Sequence, residues 1–116
     1  MGAMTGTYPA ERCTWCGEEV DVDDGFRAYE PSGDRRAVFC RLEHLVPWRI
    51  QGAIWEAGEI EQGMDVAGLR ECSQCGAELG EVAVVLVRHR GEHRIADGFC
   101  SVEHMADWAK AGGRWR

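Results

Sequence analysis

One pattern runs through this chain twice: Cys-x2-Cys-Gly, a spacer, Phe-Cys-x3-His, and a tryptophan four residues on. The first copy reads CTWCG from Cys13, FCRLEH from Phe39 to His44, then Trp48. The second reads CSQCG from Cys72, FCSVEH from Phe99 to His104, then Trp108. The offset is 59 residues at the paired cysteines and 60 at the hexapeptide, so the copies differ in length by one residue. Recurrence of this whole series in register marks an internal duplication. Whatever the chain folds into has to be buildable from half of it, twice.

Half of 116 residues is a small allowance. Units of about 50 residues bury too little surface to be secure alone and usually need a metal or disulfides. The six cysteines fall into two triplets, Cys13, Cys16, Cys40 and Cys72, Cys75, Cys100. Three thiols cannot pair off among themselves, and in each copy a histidine, His44 or His104, completes the set. Three thiolates and one imidazole are the donors of a closed structural zinc site. Two zinc ions per chain are therefore expected, with structural thiols or disulfides as the alternative. A redox role for the C-x2-C pairs would leave the third cysteine and the histidine of each copy without a purpose.

Local signals place these donors on turns and helix starts. Gly17 and Gly76 each follow the second cysteine of a pair, where a positive φ would tighten the turn. The run RAYEPSGDRRAVF carries PSGD at Pro31 to Asp34 between two strand candidates, although its apolar alternation is imperfect. VAVVLV at Val82 to Val87 is a β-branched run that Gly91 can turn back into HRIADGF. Cys40 and His44, like Cys100 and His104, are four apart and would share one helix face. Ser101 is a cap for the second helix and Gly112 and Gly113 its stop. In the first copy, Pro47 predicts either a kink or a fresh helix over WRIQGAIWEA.

The spacing and the Phe-Cys entry to each helix resemble tandem treble-clef zinc fingers, in particular the FCS-like class. The resemblance covers most of 13–48 and 72–108. It implies a knuckle, a hairpin and a helix in each copy, with Cys13, Cys16, Cys72 and Cys75 as knuckle ligands. Cys40, His44, Cys100 and His104 would then be ligands from the helix starts. Both copies carry histidine where that class commonly has a fourth cysteine. The fold class expected is small α+β, two tandem units at 1–58 and 59–116 packed as one bilobal protein. Ile60, Met64, Val66 and Leu69 of the connector are candidates to fill the seam.

Composition narrows the function. Formal net charge is −7, near evenly divided between the halves, which argues against a broad nucleic-acid footprint. No apolar run is long enough to span a membrane, no export signal is visible, and a cytoplasmic location is expected. With every ligand position taken by protein, an enzyme is not expected. The residues outside the duplication carry the search for a function. Arg88, Arg90 and Arg94, with His89 and His93 nearby, form the one local basic patch. A solvated hairpin or an RNA, DNA or acidic-protein contact would account for it, and Lys110, Arg114 and Arg116 could extend it. VDVDD at Val20 to Asp24 reads as a polar edge. Trp48 and Trp108 read as internal supports, while Trp15, Trp55 and Trp115 have no evident counterparts; Trp15 and Trp55 are candidate anchors for a protein partner. The leading expectation is a structural zinc-binding adaptor or regulatory protein that presents a protein-interaction surface. Nucleic-acid binding in transcription or translation through the basic second hairpin is the alternative.

Overall fold

The computed structural model describes residues 11–61, 63–64, 66–80 and 82–113. Trp115 and the flanking Arg114 and Arg116 lie outside the described residues.

Each paired-cysteine stretch closes on itself by backbone hydrogen bonds. In the first copy β1 (Glu11–Arg12) and β2 (Glu19–Val20) pair across the turn. In the second, one bridge between Glu71 and Glu78 does the same. Gly17 and Gly76 take φ of 79° and 74°, the left-handed geometry expected of them. Their N–H groups donate to the carbonyls of Cys13 and Cys72 at 2.9 and 2.8 Å. Thr14 N–H then reaches Val38 O and Ser73 N–H reaches Gly98 O, which docks each turn on its own hairpin.

The hairpins form where the turn residues predict them. β3 (Phe26–Glu30) and β4 (Arg35–Phe39) flank a 3-10 turn over Pro31–Gly33. β6 (Val84–Arg90) and β7 (His93–Phe99) flank the Gly91–Glu92 turn. After β4, a 3-10 turn over Leu42–His44 leads into α1 (Leu45–Ile50); after β7, α2 spans Val102–Lys110. Pro47 sits in the first turn of α1, where an N–H would lack an intrahelical acceptor in any case. The fresh helix expected over WRIQGAIWEA does not form. α1 stops at Ile50, Gly52 and Ala53 adopt φ of 108° and 51°, and Glu56–Ala57 becomes β5 on the outer edge of β4. Ser101 caps α2 by accepting from His104 N–H at 3.1 Å, and Gly112 and Gly113, at φ 94° and 59°, end it.

The two hairpins join into one antiparallel sheet of order β5-β4-β3-β6-β7. Strand β3 lies against β6 with Arg27 opposite Val87, Ala28 opposite Leu86 and Tyr29 opposite Val85. The hairpin registers make Ala28 and Leu86 equivalent positions in the two copies, since Phe26 faces Phe39 as Val84 faces Phe99. The Ala28–Leu86 pair therefore lies on a local two-fold axis that relates the hairpins. Both helices pack on one face of this sheet and on each other. There Phe39, Leu45 and Trp48 share a core with Leu86, Phe99, Met105 and Trp108. On the opposite face Tyr29, Val85 and Val87 are covered by Ile60, Met64, Val66 and Leu69, the connector residues expected at the seam. The result is a small α+β fold with sheet and core continuous between the copies.

Two candidate metal clusters

The fold brings the eight repeated donors into two separate groups. Cys13, Cys16, Cys40 and His44 form one, and Cys72, Cys75, Cys100 and His104 the other; within each, the donor atoms all lie within 4.8 Å of one another. The knuckle turn supplies two sulfurs, the residue after β4 or β7 supplies the third, and the start of the following helix supplies a histidine Nδ1. In the first group Cys16 Sγ is 3.6 Å from Cys40 Sγ, and His44 Nδ1 is 3.6 Å from Cys13 Sγ and 3.3 Å from Cys40 Sγ. In the second, Cys75 and Cys100 sulfurs are 3.8 Å apart and His104 Nδ1 is 3.8 Å from Cys72 Sγ. None of the six cysteines is paired in a disulfide.

Apart from a closer approach of His104 Nδ1 to Cys100 Sγ, at 2.8 Å, these distances fit a tetrahedral ion. Zinc bonds of about 2.3 Å to sulfur and about 2.0 Å to nitrogen would set sulfurs about 3.8 Å apart and sulfur about 3.5 Å from nitrogen. Electrostatics point the same way. Burial alone would raise the Cys13 thiol, but N–H groups of Cys16, Cys40 and Trp15 together with the His44 ring bring it down to about 6. Cys72 is likewise opposed by burial and brought to about 6 by N–H groups of Cys75, Cys100 and Gln74 and by His104. Desolvation and the neighbouring sulfurs push Cys40 and Cys100 up to about 11. One thiol in each group is thus prepared as a thiolate, while another is kept from ionising by the company of its neighbours. A divalent cation among the four removes that conflict, because its charge offsets the mutual repulsion of the thiolates.

The basic patch read from the sequence does not assemble on one surface. Strand alternation sends Arg88 and Arg90 to one face of β6 and His89 to the other, with Arg94 opposite His89. Arg88 lies over the Phe26 ring, 6.0 Å from its centroid. Arg94 pairs with Asp23 at 3.1 Å and lies 3.7 Å from Glu61. His89 is buried, with Nδ1 2.7 Å from Val22 O and Nε2 2.7 Å from Glu61 Oε2. The acidic Val20 to Asp24 loop and the arginine hairpin therefore meet within the chain and partly neutralise each other.

One buried and one half-buried charged group, Arg27 and Glu61, escape a reading of sequence. Arg27 is fully buried, bonded to Glu11 Oε1 at 3.1 Å and to the carbonyls of Asp21 and Asp24. Glu11 also binds Arg36, and the two guanidinium groups hold its carboxyl below the usual range against the opposing effect of burial. Glu61 collects Tyr29 Oη at 2.7 Å as well as His89, and these bonds outweigh the burial that would raise it. The only hint in the sequence is Arg27 inside a strand candidate. Its partner, sixteen residues upstream, leaves no periodic signal.

Among the described residues the large exposed apolar side chains are Trp15, Val22, Ile50, Ile54 and Ile95. Trp15 in the knuckle turn is 37% exposed, Ile50 is 74% and Ile54 is 68% exposed. Trp55, by contrast, stands edge-on to Trp48 with ring centroids 5.0 Å apart and has Arg35 over its ring. Trp48 and Trp108 also stack edge-on against Phe39 and Phe99, at 5.2 and 5.4 Å, as supports beneath the helix starts. No family model, curated protein or solved structure matches the chain. None of the described helices is long and apolar enough to cross a membrane.

Proposed function

We propose that the chain is a structural zinc protein that holds two ions and presents a protein-interaction surface. Cys13, Cys16, Cys40 and His44 would hold one ion, and Cys72, Cys75, Cys100 and His104 the other. The observation that carries this reading is the recurrence of the same four-donor group at the same junction of knuckle, hairpin and helix. That order supports the treble-clef resemblance, and the repeat boundary is kept at 58/59. Four protein donors leave no position for a catalytic water, so the ion would tie the knuckle to the helix start and contribute folding energy.

Trp15, Ile50 and Ile54 are the best-supported contact residues for a protein partner. They belong to the first unit, and Thr14, next to Trp15, donates a hydrogen bond to Glu56, two residues after Ile54. Nucleic-acid recognition draws less support, because Arg94 is engaged by Asp23 and Glu61 and Arg88 by Phe26. Capture of partners with the wild-type chain and with Trp15→Ala/Ile54→Ser tests this. A protein retained after nuclease treatment and lost with the double variant supports the reading. Retention that vanishes with nuclease and with Arg88→Ala/Arg90→Ala contradicts it.

A further inference from the structure

The two knuckles share a backbone course but not their bracing. At the 59-residue offset Glu11, Arg12 and Glu19 correspond to Arg70, Glu71 and Glu78. In the first knuckle Arg12 stands opposite Glu19, a cross-strand pair of unlike charge. Arg12 Nη1 also donates to Gly17 O at 3.1 Å, inside the turn that carries Cys16. In the second knuckle Glu71 stands opposite Glu78, and both are exposed. Two ionised carboxylates can only accept, so neither braces the turn around Cys75 as Arg12 braces that around Cys16. Unlike charges directly opposite stabilise a strand pair, and like charges weaken it.

The difference continues where each knuckle meets its hairpin. Glu11 Oε1 accepts from Arg27 at 3.1 Å and Glu11 Oε2 from Arg36, which ties β1 to β3 and β4. The equivalence that matches Ala28 with Leu86 puts Val85 and Ala96 where Arg27 and Arg36 stand. Arg70, at the Glu11 position, therefore has no charged counterpart at either place. Val20, which closes the first knuckle, is buried, whereas its counterpart Leu79 is half-buried. One tether is common to both: Thr14 Oγ1 donates to Glu56 Oε2 at 2.8 Å and Ser73 Oγ to Asp97 Oδ1 at 2.6 Å. The third sulfur follows the same trend, since Cys40 is half-buried and Cys100 exposed. A segment with fewer such contacts opens locally at lower cost, and an exposed ligand sulfur is the more accessible to a competing donor.

We propose that the second metal site is the exchangeable one: it gives up its ion to a competing ligand while the first site stays loaded, so that metal supply is read by the second unit. This rests on the two-ion reading above and adds a regulation to it. In the exchange the competitor's donors replace the thiolates of Cys75 and Cys100, both exposed, before the buried Cys72, and no sulfur is oxidised. The test is stopped-flow absorbance of the zinc-loaded full chain mixed with an excess of a zinc-chelating pyridylazo dye, joined to amide NMR of the chain after one ion has left. Two phases of one ion each are expected, their rates apart by about tenfold or more. In the half-depleted chain the Gly76 amide should shift while that of Gly17 does not. Glu78→Arg, which restores an unlike pair, should slow the fast phase several-fold, and Arg12→Glu should speed the slow one. Two ions leaving at one rate, or Gly17 shifting before Gly76, overturns the proposal and leaves the two-ion reading standing. A chain that takes up no zinc overturns both.

Discussion

Arg27 shows how far a single residue can depart from its usual setting. An arginine in a strand candidate ordinarily points to solvent, yet this one is enclosed and depends on Glu11 and two backbone carbonyls. Removing one member of such a pair strands the other, which typically costs about 3–5 kcal/mol. Because the Glu11 side chain is itself 25% exposed, Glu11→Gln is expected near the lower end of that range in urea unfolding. The sign of the pH effect follows from Glu11, whose carboxyl is lowered in the fold from an ordinary value of 4.5. Stability from the pair is fully present above about 4.5 and is lost as pH falls from there through the lower folded value. The stability gap between wild type and Glu11→Gln should therefore narrow in acid; a gap independent of pH would refute the assignment. At Gly25, where φ is 77° and a Cβ would lie 2.6 Å from Phe39 O, alanine is expected to cost more than about 1 kcal/mol in the same measurement.

Among the elements, those with local causes were legible in the sequence. The Gly17 and Gly76 turns, the hairpins at Pro31–Gly33 and Gly91, and the Ser101 cap all follow from residues within a few positions of the feature. Ser101→Ala is expected to destabilise by about 1 kcal/mol, read as a lower denaturation midpoint, because His104 N–H loses its acceptor. At the matching position Arg41 makes no side-chain cap, so Arg41→Ala should change the midpoint little. The strand β5 was not legible. Its two residues make a strand only because Arg35 and Arg36 offer an edge and Trp55 finds Trp48, contacts that no local pattern records. The arginine patch failed for a related reason, since spacing along the chain gave no account of strand faces or of Asp23 and Glu61.

At the scale of the whole molecule, the duplication revealed the two donor groups but not how the copies join. The pairing of β3 with β6 rests on a register centred on Ala28 and Leu86, and a connector whose apolar residues cover the opposite face. Leu86 is fully buried on this axis, so Leu86→Ala is expected to cost about 2–5 kcal/mol. Because it contacts the shared core, both units should lose stability together in one calorimetric transition. Two separate transitions, with only one shifted, would contradict a shared core. The contribution of the metal clusters is expected to be of another order. Apparent zinc binding in small finger domains amounts to about 10–16 kcal/mol, enough to hold units of this size that a modest core would not.

The central claim is that each repeated group holds one structural ion. Elemental analysis coupled to near-UV circular dichroism of the purified chain tests it most directly. The account predicts two zinc ions per chain, one in His44→Ala and one in His104→Ala, with loss of the tryptophan signal when a chelator removes both. A fully metal-free chain that keeps an unchanged near-UV spectrum and thermal midpoint would contradict it.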